Sequence, residues 1–389
     1  MQAALGGLLH DLGKFALRAG VAPRQTWNAE AERDYRYKHA LLSADIGGEM
    51  LGEGWAEARQ AIAYHHRPEN SVAGRVAKLV AIADRLSSGE RAPSDETEPQ
   101  QLLSIFARLF ADGSEPQVEP RYLPLEPLRM APEALFAGPA ASNAEVRRAY
   151  ARLWEAFQRE ARSSRAIEDG PTLVSQWMHI LRQYTWCIPS AAWRSVPDVS
   201  LYDHSRMTAA LAACLVPLDD ARLQALLNKP EQETDAVACL VGGDISGIQE
   251  FIYTITPRGA TPALRGRSFY LQMLTEAAAH YVLEALGLPA TSLVYAGGGH
   301  FYLLAPRGVE ATLAEAQRTI SRVLLQHHGG DLYLALAHQP LAGASFFQGG
   351  LSNAWTEISK RLRRVKEQRF AELGDGLHHL LFEPWRDQG

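Results

Sequence analysis

Apolar residues recur at helical spacing through the first ninety residues of the chain. The pattern is clear in residues 40–50 and again in 76–83, and the strict alternation typical of strands is absent there. The pattern predicts an all-helical domain over residues 1–90.

A proline-rich stretch follows the helical region. Eight prolines fall between residues 91 and 140, where they interrupt any long element. Leu102–Phe110 is still expected to form one short helix, so we interpret the stretch as an ordered connector. Helical spacing returns in residues 143–187 and 205–216. Residues 91–230 are therefore predicted to form a connector and a helical linker.

The pattern becomes mixed after Pro230. Apolar runs typical of strands alternate with longer helical patterns in a β-α-β-β-α-β order, which is that of a ferredoxin-like domain. We therefore expect an α+β protein whose last domain covers residues 231–389. The predicted elements are a strand at Ala236–Val241, helices at Gly247–Ile255 and Leu264–Leu286, two strands flanking residues 297–299, a helix at Val309–Gln326 and a strand at Leu332–Ala337.

Composition narrows the class of protein. A chain of 389 residues is long enough for two or three domains, and 47% hydrophobic residues indicate that it folds. A net charge of -5 excludes a general nucleic-acid coat, so any contact with nucleic acid should be local. Three widely spaced cysteines predict neither a disulfide framework nor a cysteine zinc site, which suggests the cytoplasm.

Membrane association is not expected. The apolar opening of the chain lacks a basic region and is interrupted by His10 and Asp11, unlike a signal peptide. No uncharged apolar run of about 18 residues, the length needed to span a bilayer, occurs in the sequence.

Histidines and aspartates of the helical domain form the first chemical signal. Imidazole and carboxylate are the ligands that divalent transition metals prefer, and a helical bundle can direct them into one cluster. An adjacent His-Asp pair can serve two ions that activate water and stabilise the leaving oxygen of a phosphodiester. The alternative is a set of hydrogen-bonded core histidines. The predicted metal ligands are His10, Asp11, His39, His65, His66 and Asp84.

Lys14 adds a possible phosphate contact. It lies three residues beyond Asp11 and therefore on the same helical face. We predict His10, Asp11 and Lys14 as catalytic residues, with a solvated surface lysine as the alternative for Lys14.

A glycine-rich turn in the last domain suggests a nucleotide site. The segment Gly242–Gln249 ends a predicted strand and opens a helix, where free N–H groups can receive a phosphate. A tight turn capped by Ser246 is the alternative. The hairpin turn at residues 297–299 carries no acidic residue, so this domain should bind a nucleotide without performing phosphoryl transfer by itself. The candidates here are Asp244, Ser246, Gly247, Gln249, Gly298 and Gly299.

Basic side chains extend this candidate site. Arg258, Arg265 and Arg267, with Ser268 at a predicted helix start, suit a triphosphate or a nucleic-acid backbone. A second basic stretch, residues 360–369, could meet RNA or an acidic partner, although a solvated helix face is the usual explanation of such a run.

The sequence resembles the N-terminal half of the proteins of a known family, the large subunits of type III-A (Csm) CRISPR effector complexes. The segments that carry the resemblance spread over nearly the whole chain. They are LLHDLGK, KHALLSADIGGEML, YHHRPE, ADRLSSGER, LYDHSRMTAALAAC, GGDISGIQEFIYTI, LRGRSFYL and YAGGGHFYLLAP.

The resemblance implies a permuted HD nuclease domain that cuts single-stranded DNA when the complex captures target RNA. It also implies a first palm domain which, with ATP, Mg and a second palm, makes cyclic oligoadenylates. The expected metal is Mn, Ni or Co. The expected partners are the DNA substrate, guide and target RNA held by other subunits, the small subunits and the second palm half. That half is not in these residues, so cyclase activity is not expected from this chain alone.

Two other functions are compatible with the same residues. An HD metal site does not itself choose a phosphodiester, so hydrolysis of nucleotides or cyclic nucleotides is the second reading. The third is a catalytically inactive scaffold subunit that recruits partners.

Overall fold

A computed structural model describes residues 1–89, 101–108, 119–190, 195–253 and 260–377. The chain divides into two compact units. The first comprises Met1–Pro230 and Pro289–Thr291, and the second comprises Glu231–Leu288 and Ser292–Gly389. The finer division of the first 230 residues at residue 90 stays a prediction.

The first unit is helical, and the prediction for its opening region is confirmed. Its helices follow one another with short connections through residue 87, as the apolar spacing indicated. The helices are α1 (Gln2–Leu9), α2 (Leu12–Arg18), α3 (Ala29–Tyr35), α4 (Lys38–Met50), α5 (Ala56–Tyr64), α6 (Gly74–Ser87), α7 (Pro132–Leu135), α8 (Asn143–Ala161), α9 (Gly170–Thr185), α10 (Leu201–Leu215) and α11 (Asp220–Asn228).

Side-chain caps fix where the later helices begin. α8 starts with a capping box in which Ser142 and Glu145 satisfy each other's backbone N–H groups. At the start of α10 the Ser200 hydroxyl accepts a hydrogen bond from the N–H of Asp203. The helical pattern of residues 143–187 is thus confirmed but is divided into α8 and α9, with a 3-10 turn at Arg162–Ala166 after α8.

The connector contains less helix than predicted. In place of a helix at Leu102–Phe110 the structure has a 3-10 turn at Ile105–Arg108, and residues 109–118 lie outside the described part of the chain. Leu103 instead forms a β-bridge with Tyr122, which also pairs with Gly138. Extended backbone pairing therefore replaces the first turn of the predicted helix.

Two glycines allow helices to meet backbone to backbone. A Cβ on Gly7 of α1 would lie 2.7 Å from the Cα of Ala209 on α10. A Cβ on Gly13 of α2 would lie 1.9 Å from the carbonyl oxygen of His39 on α4, far inside van der Waals contact. Any larger residue would force these helices apart, so both glycines bring α4 and α10 close to the α1–α2 junction.

Aromatic packing holds α2 against the later helices. Phe15 is fully buried and meets Trp154 of α8 edge to face, with ring centroids 4.9 Å apart. Phe157 and Trp177 continue the same core. This core links the opening helices to residues more than a hundred positions away.

The second unit has the predicted ferredoxin-like topology. Its four strands form an antiparallel sheet in the order β2-β3-β1-β4. Strand β1 extends five residues beyond the predicted end and β4 also extends five. The elements are β1 (Ala236–Ser246), α12 (Ile248–Tyr253), α13 (Ala260–Ala285), β2 (Leu293–Gly297), β3 (His300–Ala305), α14 (Glu310–His328), β4 (Tyr333–Ala342) and α15 (Gly350–Glu367).

A side chain of α14 forms hydrogen bonds with the backbone of the edge strand β4. The amide of Gln317, 7% exposed on α14, donates to the Leu334 carbonyl at 2.6 Å and accepts from the Leu336 N–H at 2.7 Å. These bonds satisfy two backbone groups of an edge strand that would otherwise lack partners.

None of the helices that the structure describes combines the length and the apolar character that crossing a membrane requires.

Candidate metal centre and nucleotide site

All six predicted metal ligands of the first unit come together in one place. His10 and Asp11 lie at the α1–α2 junction, Asp84 lies on α6 and the remaining three lie on or directly after α4 and α5. A further residue, His204 of α10, joins them. The seven side chains form two groups that share Asp11, and within each group one candidate ligand atom per residue lies within 4.8 Å of the others.

The inner group consists of His10, Asp11, Asp84 and His204. The Nε2 atom of His204 is 3.1 Å from Asp84 Oδ1 and 3.4 Å from Asp11 Oδ2. The Nε2 atom of His10 is 3.4 Å from Asp11 Oδ2 and 3.6 Å from Asp84 Oδ1. Two imidazole nitrogens and two carboxylates therefore converge in a buried site.

The outer group consists of Asp11, His39, His65 and His66. The other carboxylate oxygen of Asp11, Oδ1, is 3.4 Å from His39 Nε2 and 3.9 Å from His65 Nε2. His66 Nε2 lies 3.0 Å from His39 Nε2. Because each oxygen of Asp11 faces a different group, this carboxylate is placed to serve both.

Three histidines have one nitrogen fixed and the other directed into the cluster. The Nδ1 atoms of His10 and His65 lie 2.8 and 2.9 Å from the carbonyl oxygens of Gly7 and Ile62. These carbonyls can only accept, so each Nδ1 carries a proton and each Nε2 is the atom left to bind a cation. The Nδ1 atom of His204 lies 3.0 Å from the Ser87 hydroxyl.

The Nε2 atoms themselves test whether a cation fits. In His10, His65 and His204 they are buried and have no hydrogen-bond partner among the described residues. A buried polar atom without a partner is costly, and one cation in each group would satisfy all three nitrogens. Nitrogen and oxygen atoms about 2.1 Å from one ion lie roughly 3–4 Å apart, as these do. The side chains therefore fit a divalent metal.

Burial and the neighbouring charges set the protonation states of the candidate ligands. Burial alone would lower the pKa of His10, but the carboxylates of Asp11 and Asp84 outweigh it and raise the pKa to about 10. Burial would raise the pKa of Asp11, but Lys14 and His10 hold it well below its usual value. Burial lowers the pKa of His39 to about 3 and, helped by the charge of His10, that of His65 to about 4. The carboxylates are thus ionised, and His39 and His65 are neutral, as metal ligands must be, whereas His10 has to lose a proton when a metal binds.

Lys14 borders the inner group. Its ammonium lies 2.5 Å from Asp11 Oδ2 and donates to the Ser190 carbonyl at 3.1 Å, and its side chain is 16% exposed. It is not a free surface lysine, which was the alternative. Whether it contacts a phosphate stays a prediction.

His204 was not predicted from the sequence as a site residue. It is 2% exposed and lies 120 residues beyond Asp84 in the chain. The signal for it in the sequence was a histidine inside a helix rich in alanine and other small residues. Such a helix is suited to close packing against another helix. Distance along the chain hid its relation to the other ligands.

The candidate nucleotide residues lie around the end of β1 in the second unit. Asp244 is paired in register with His300 of β3, whose Nε2 atom is 3.2 Å from Asp244 Oδ1. Lys366 of α15 forms an ion pair with the other oxygen of Asp244. The Ser246 hydroxyl donates to the Tyr333 carbonyl at 3.3 Å, so it links two strands.

The turns beside Asp244 have the predicted positions. Gly247 lies between β1 and α12, and Gln249 is exposed in the first turn of α12. Gly298 and Gly299 form the β2–β3 turn, and the Gly299 carbonyl accepts a hydrogen bond from the N–H of Ile245. The β1 end and the hairpin turn are thereby held together.

One prediction about the basic residues is wrong. Ser268 does not begin a helix, because α13 already starts at Ala260 and Ser268 lies on its exposed side two turns later. Arg265 is exposed on the same helix, whereas Arg267 donates to the Phe251 carbonyl and its guanidinium lies 5.1 Å from the Phe251 ring centroid. Arg258 lies outside the described residues.

Comparison with known proteins adds to this geometry. Residues 2–89 match the family described as HD domain, and residues 237–383 match Csm1 subunit domain B. A CRISPR system single-strand-specific deoxyribonuclease Cas10/Csm1 (subtype III-A) from Methanocaldococcus jannaschii is 30% identical over 98% of this chain. The chain is a homologue of the Cas10/Csm1 proteins of subtype III-A. The resemblance seen in the sequence is thereby confirmed.

Further relatives give the same result. The Cas10/Csm1 protein of Thermococcus onnurineus is 29% identical over 97% of this chain. The match covers 51% of the first relative and 48% of the second, so the chain spans about half the length of these relatives.

Solved Csm1 structures have the same fold. A Csm1–Csm4 cassette in complex with cA4 has a TM-score of 0.70 and 24% identity, covering 98% of this chain and 50% of that one. The cassette in complex with one ATP has a TM-score of 0.72 and 23% identity, with coverage of 98% and 50%. Csm1 of T. onnurineus has a TM-score of 0.70 and 23% identity, with coverage of 94% and 49%.

Proposed function

We propose that this chain is the metal-dependent single-stranded DNA nuclease part of an RNA-guided type III-A CRISPR antiviral complex. The observation that carries the proposal is the set of three buried Nε2 atoms, of His10, His65 and His204, directed at ionised carboxylates without hydrogen-bond partners. The relatives are single-strand-specific deoxyribonucleases, and this suggests the substrate.

The two groups of ligands would hold one divalent ion each. His10, His204 and Asp84 would bind the inner ion, and the histidines of the outer group would bind the other, with Asp11 shared between them. Mn, Ni or Co suits imidazole nitrogen and carboxylate oxygen. When bound, such ions lower the pKa of water and stabilise the leaving oxygen of a phosphodiester.

The chain's own residues prepare the site for that chemistry. The carbonyls of Gly7 and Ile62 hold two imidazoles by Nδ1 so that Nε2 faces the cluster. Lys14, held by Asp11 and Ser190, places its ammonium beside the carboxylate cluster, where it is suited to contact a non-bridging phosphate oxygen.

The second unit is proposed as a palm half-site for ATP. The β1 end and the hairpin turn form a glycine-lined edge around one acidic residue, Asp244, and solved relatives are named as complexes with ATP and cA4. A single carboxylate does not supply the pair that holds two magnesium ions. ATP with Mg would therefore react only when a second palm half contributes.

The remaining partners follow from the same proposal. Guide RNA and target RNA would be held through other subunits, including the small subunits, and Csm4 accompanies Csm1 in the solved Csm1–Csm4 cassette. The assembled complex would act in the cytoplasm.

The direct test is hydrolysis of labelled single-stranded DNA by the purified chain with Mn, Ni or Co. We expect cleavage that a chelator abolishes, that His10→Ala with Asp11→Ala removes and that His204→Ala lowers strongly. His179→Ala is the matched control, because His179 is exposed on α9 outside the cluster. Unchanged cleavage by the double variant would refute the proposal.

The same purified protein distinguishes the two alternative functions, nucleotide hydrolysis and a scaffold role. Hydrolysis of free or cyclic nucleotides with intact single-stranded DNA would favour a nucleotide phosphohydrolase. Elemental analysis that finds no metal after incubation with each ion would favour a scaffold.

A further inference from the structure

An exposed turn with one aromatic and two basic side chains borders the metal ligands. Arg36 and Tyr37 connect α3 to α4, Lys38 is the first residue of α4 before His39, and all three are exposed. Tyr37 keeps 43% of its surface accessible although its ring contacts the cluster.

The ring of Tyr37 contacts two imidazoles of the outer group. It lies nearly parallel to His39, with centroids 5.5 Å apart and an interplanar angle of 12°. It meets His66 edge-on, with centroids 4.7 Å apart. The Arg36 guanidinium lies 5.3 Å from the centroid of the same ring. A planar group resting on Tyr37 would therefore lie beside the outer ligands.

A second aromatic pair fixes this turn. Tyr35, at the end of α3, stacks on Tyr64 at the end of α5, with centroids 5.3 Å apart and an interplanar angle of 9°. Since His65 directly follows Tyr64, this stack ties the turn to the histidines. The position of Tyr37 relative to the cluster is thus set by packing on both sides.

We propose that Tyr37 is a stacking subsite for an unpaired nucleobase of the substrate strand, with Arg36 and Lys38 contacting the phosphates beside it. The inference rests on the proposed nuclease function and deepens it, because it supplies a cause for preferring single strands. Every base has a π-face that an aromatic ring can accept, whereas a base inside a duplex is already stacked on both sides. A duplex would have to unpair to use this subsite.

Binding can be measured separately from cleavage. A single-stranded oligonucleotide with 2-aminopurine is titrated with protein in EDTA, so that no strand is cut, and stacking on Tyr37 is expected to quench the fluorescence. Tyr37→Ala should weaken binding about 5- to 150-fold, the range for loss of one base–aromatic stack. Tyr37→Phe should retain it. Phe136→Ala, which removes another exposed aromatic side chain of the first unit, is the matched control.

Cleavage with metal provides the second readout. Tyr37→Ala should raise KM for single-stranded DNA by a similar factor with little change in kcat, because a stacked base away from the reacting atoms contributes uniform binding. On a strand made abasic throughout, wild type and Tyr37→Ala should differ by less than about twofold, since the partner of the ring is missing.

Each contrary result points to a different error. Unchanged 2-aminopurine fluorescence with wild-type protein, or equal affinity of wild type and Tyr37→Ala, overturns the stacking subsite even when cleavage occurs. Metal lost from Tyr37→Ala but kept by Tyr37→Phe also overturns it, because the ring would then only support the imidazoles. Failure of wild type to cut with any metal refutes the nuclease function, and the fluorescence titration still decides the subsite.

Discussion

Ser87 positions His204, the candidate ligand that was not predicted from the sequence. Its hydroxyl lies 3.0 Å from His204 Nδ1, donates to the Asp84 carbonyl at 3.0 Å and is 2.9 Å from the Thr208 hydroxyl. Because the Ser87 proton goes to the carbonyl, its oxygen accepts from Nδ1–H of His204, and Nε2 keeps its lone pair. We expect Ser87→Ala to weaken metal binding at the inner group without removing a ligand.

The magnitude follows from what the change leaves behind. His204 is 2% exposed, so an Nδ1–H without an acceptor costs about 1–3 kcal/mol of stability. The proton can escape that cost by moving to Nε2, but the metal-facing atom then loses its lone pair. Loss of such a partner typically weakens metal affinity about 10- to 100-fold, which equals about 1.4–2.8 kcal/mol.

The assay is a Mn titration by calorimetry together with urea denaturation of the metal-free protein. Ser88→Ala is the matched control, since Ser88 is the next residue and, of these two serines, it is Ser87 whose hydroxyl lies 3.0 Å from His204 Nδ1. Equal Mn affinity in Ser87→Ala and Ser88→Ala would refute the reasoning about the tautomer.

Three further predictions concern other parts of the molecule. Gly13→Ala should lower the free energy of unfolding by about 3 kcal/mol or more, because its Cβ would overlap a backbone oxygen. Gly48→Ala, in open space on α4, should raise the free energy of unfolding by about 0.5–1 kcal/mol. Urea denaturation measures both changes, and equal effects would contradict the close approach. Metal binding at pH 7–8 should release about one proton, because the raised pKa of His10 keeps this side chain protonated without metal. Metal affinity should therefore increase with pH until about 10. Calorimetry in buffers of different ionisation enthalpy detects the released proton, and no buffer dependence would contradict the prediction. Gln317→Leu should destabilise the second unit by about 2–4 kcal/mol, because it leaves two β4 backbone groups unpaired. A change below about 0.5 kcal/mol in urea denaturation, which is the effect of an ordinary surface substitution, would count against that role.

The metal cluster shows what local patterns can and cannot predict. His10, Asp11 and Asp84 could be found because they are histidine and aspartate residues within a helical apolar pattern, and a helical bundle can direct such side chains into one cluster. His204 could not, because its nearness depends on Gly7 meeting Ala209 across 202 positions of chain. A glycine in an apolar helix has no periodicity that identifies its partner.

The second unit shows a different limit. The order of its elements was predicted, but β1 was expected to end at Val241 because two glycines follow. In the structure Gly242 and Gly243 pair with Tyr302 and Phe301 of β3, so pairing with a neighbouring strand outweighs their weak strand propensity. The start of α13 was missed because Pro262 sits in its first turn, where proline is tolerated.

The contribution of α10 has a consequence for biosynthesis. His204 enters the cluster only when α10 lies against α1, so a nascent chain that has emerged only as far as α6 lacks one of the inner ligands. The ribosome must add more than a hundred further residues before the site can be completed. Translation order therefore delays the candidate metal centre until α10 has also been made.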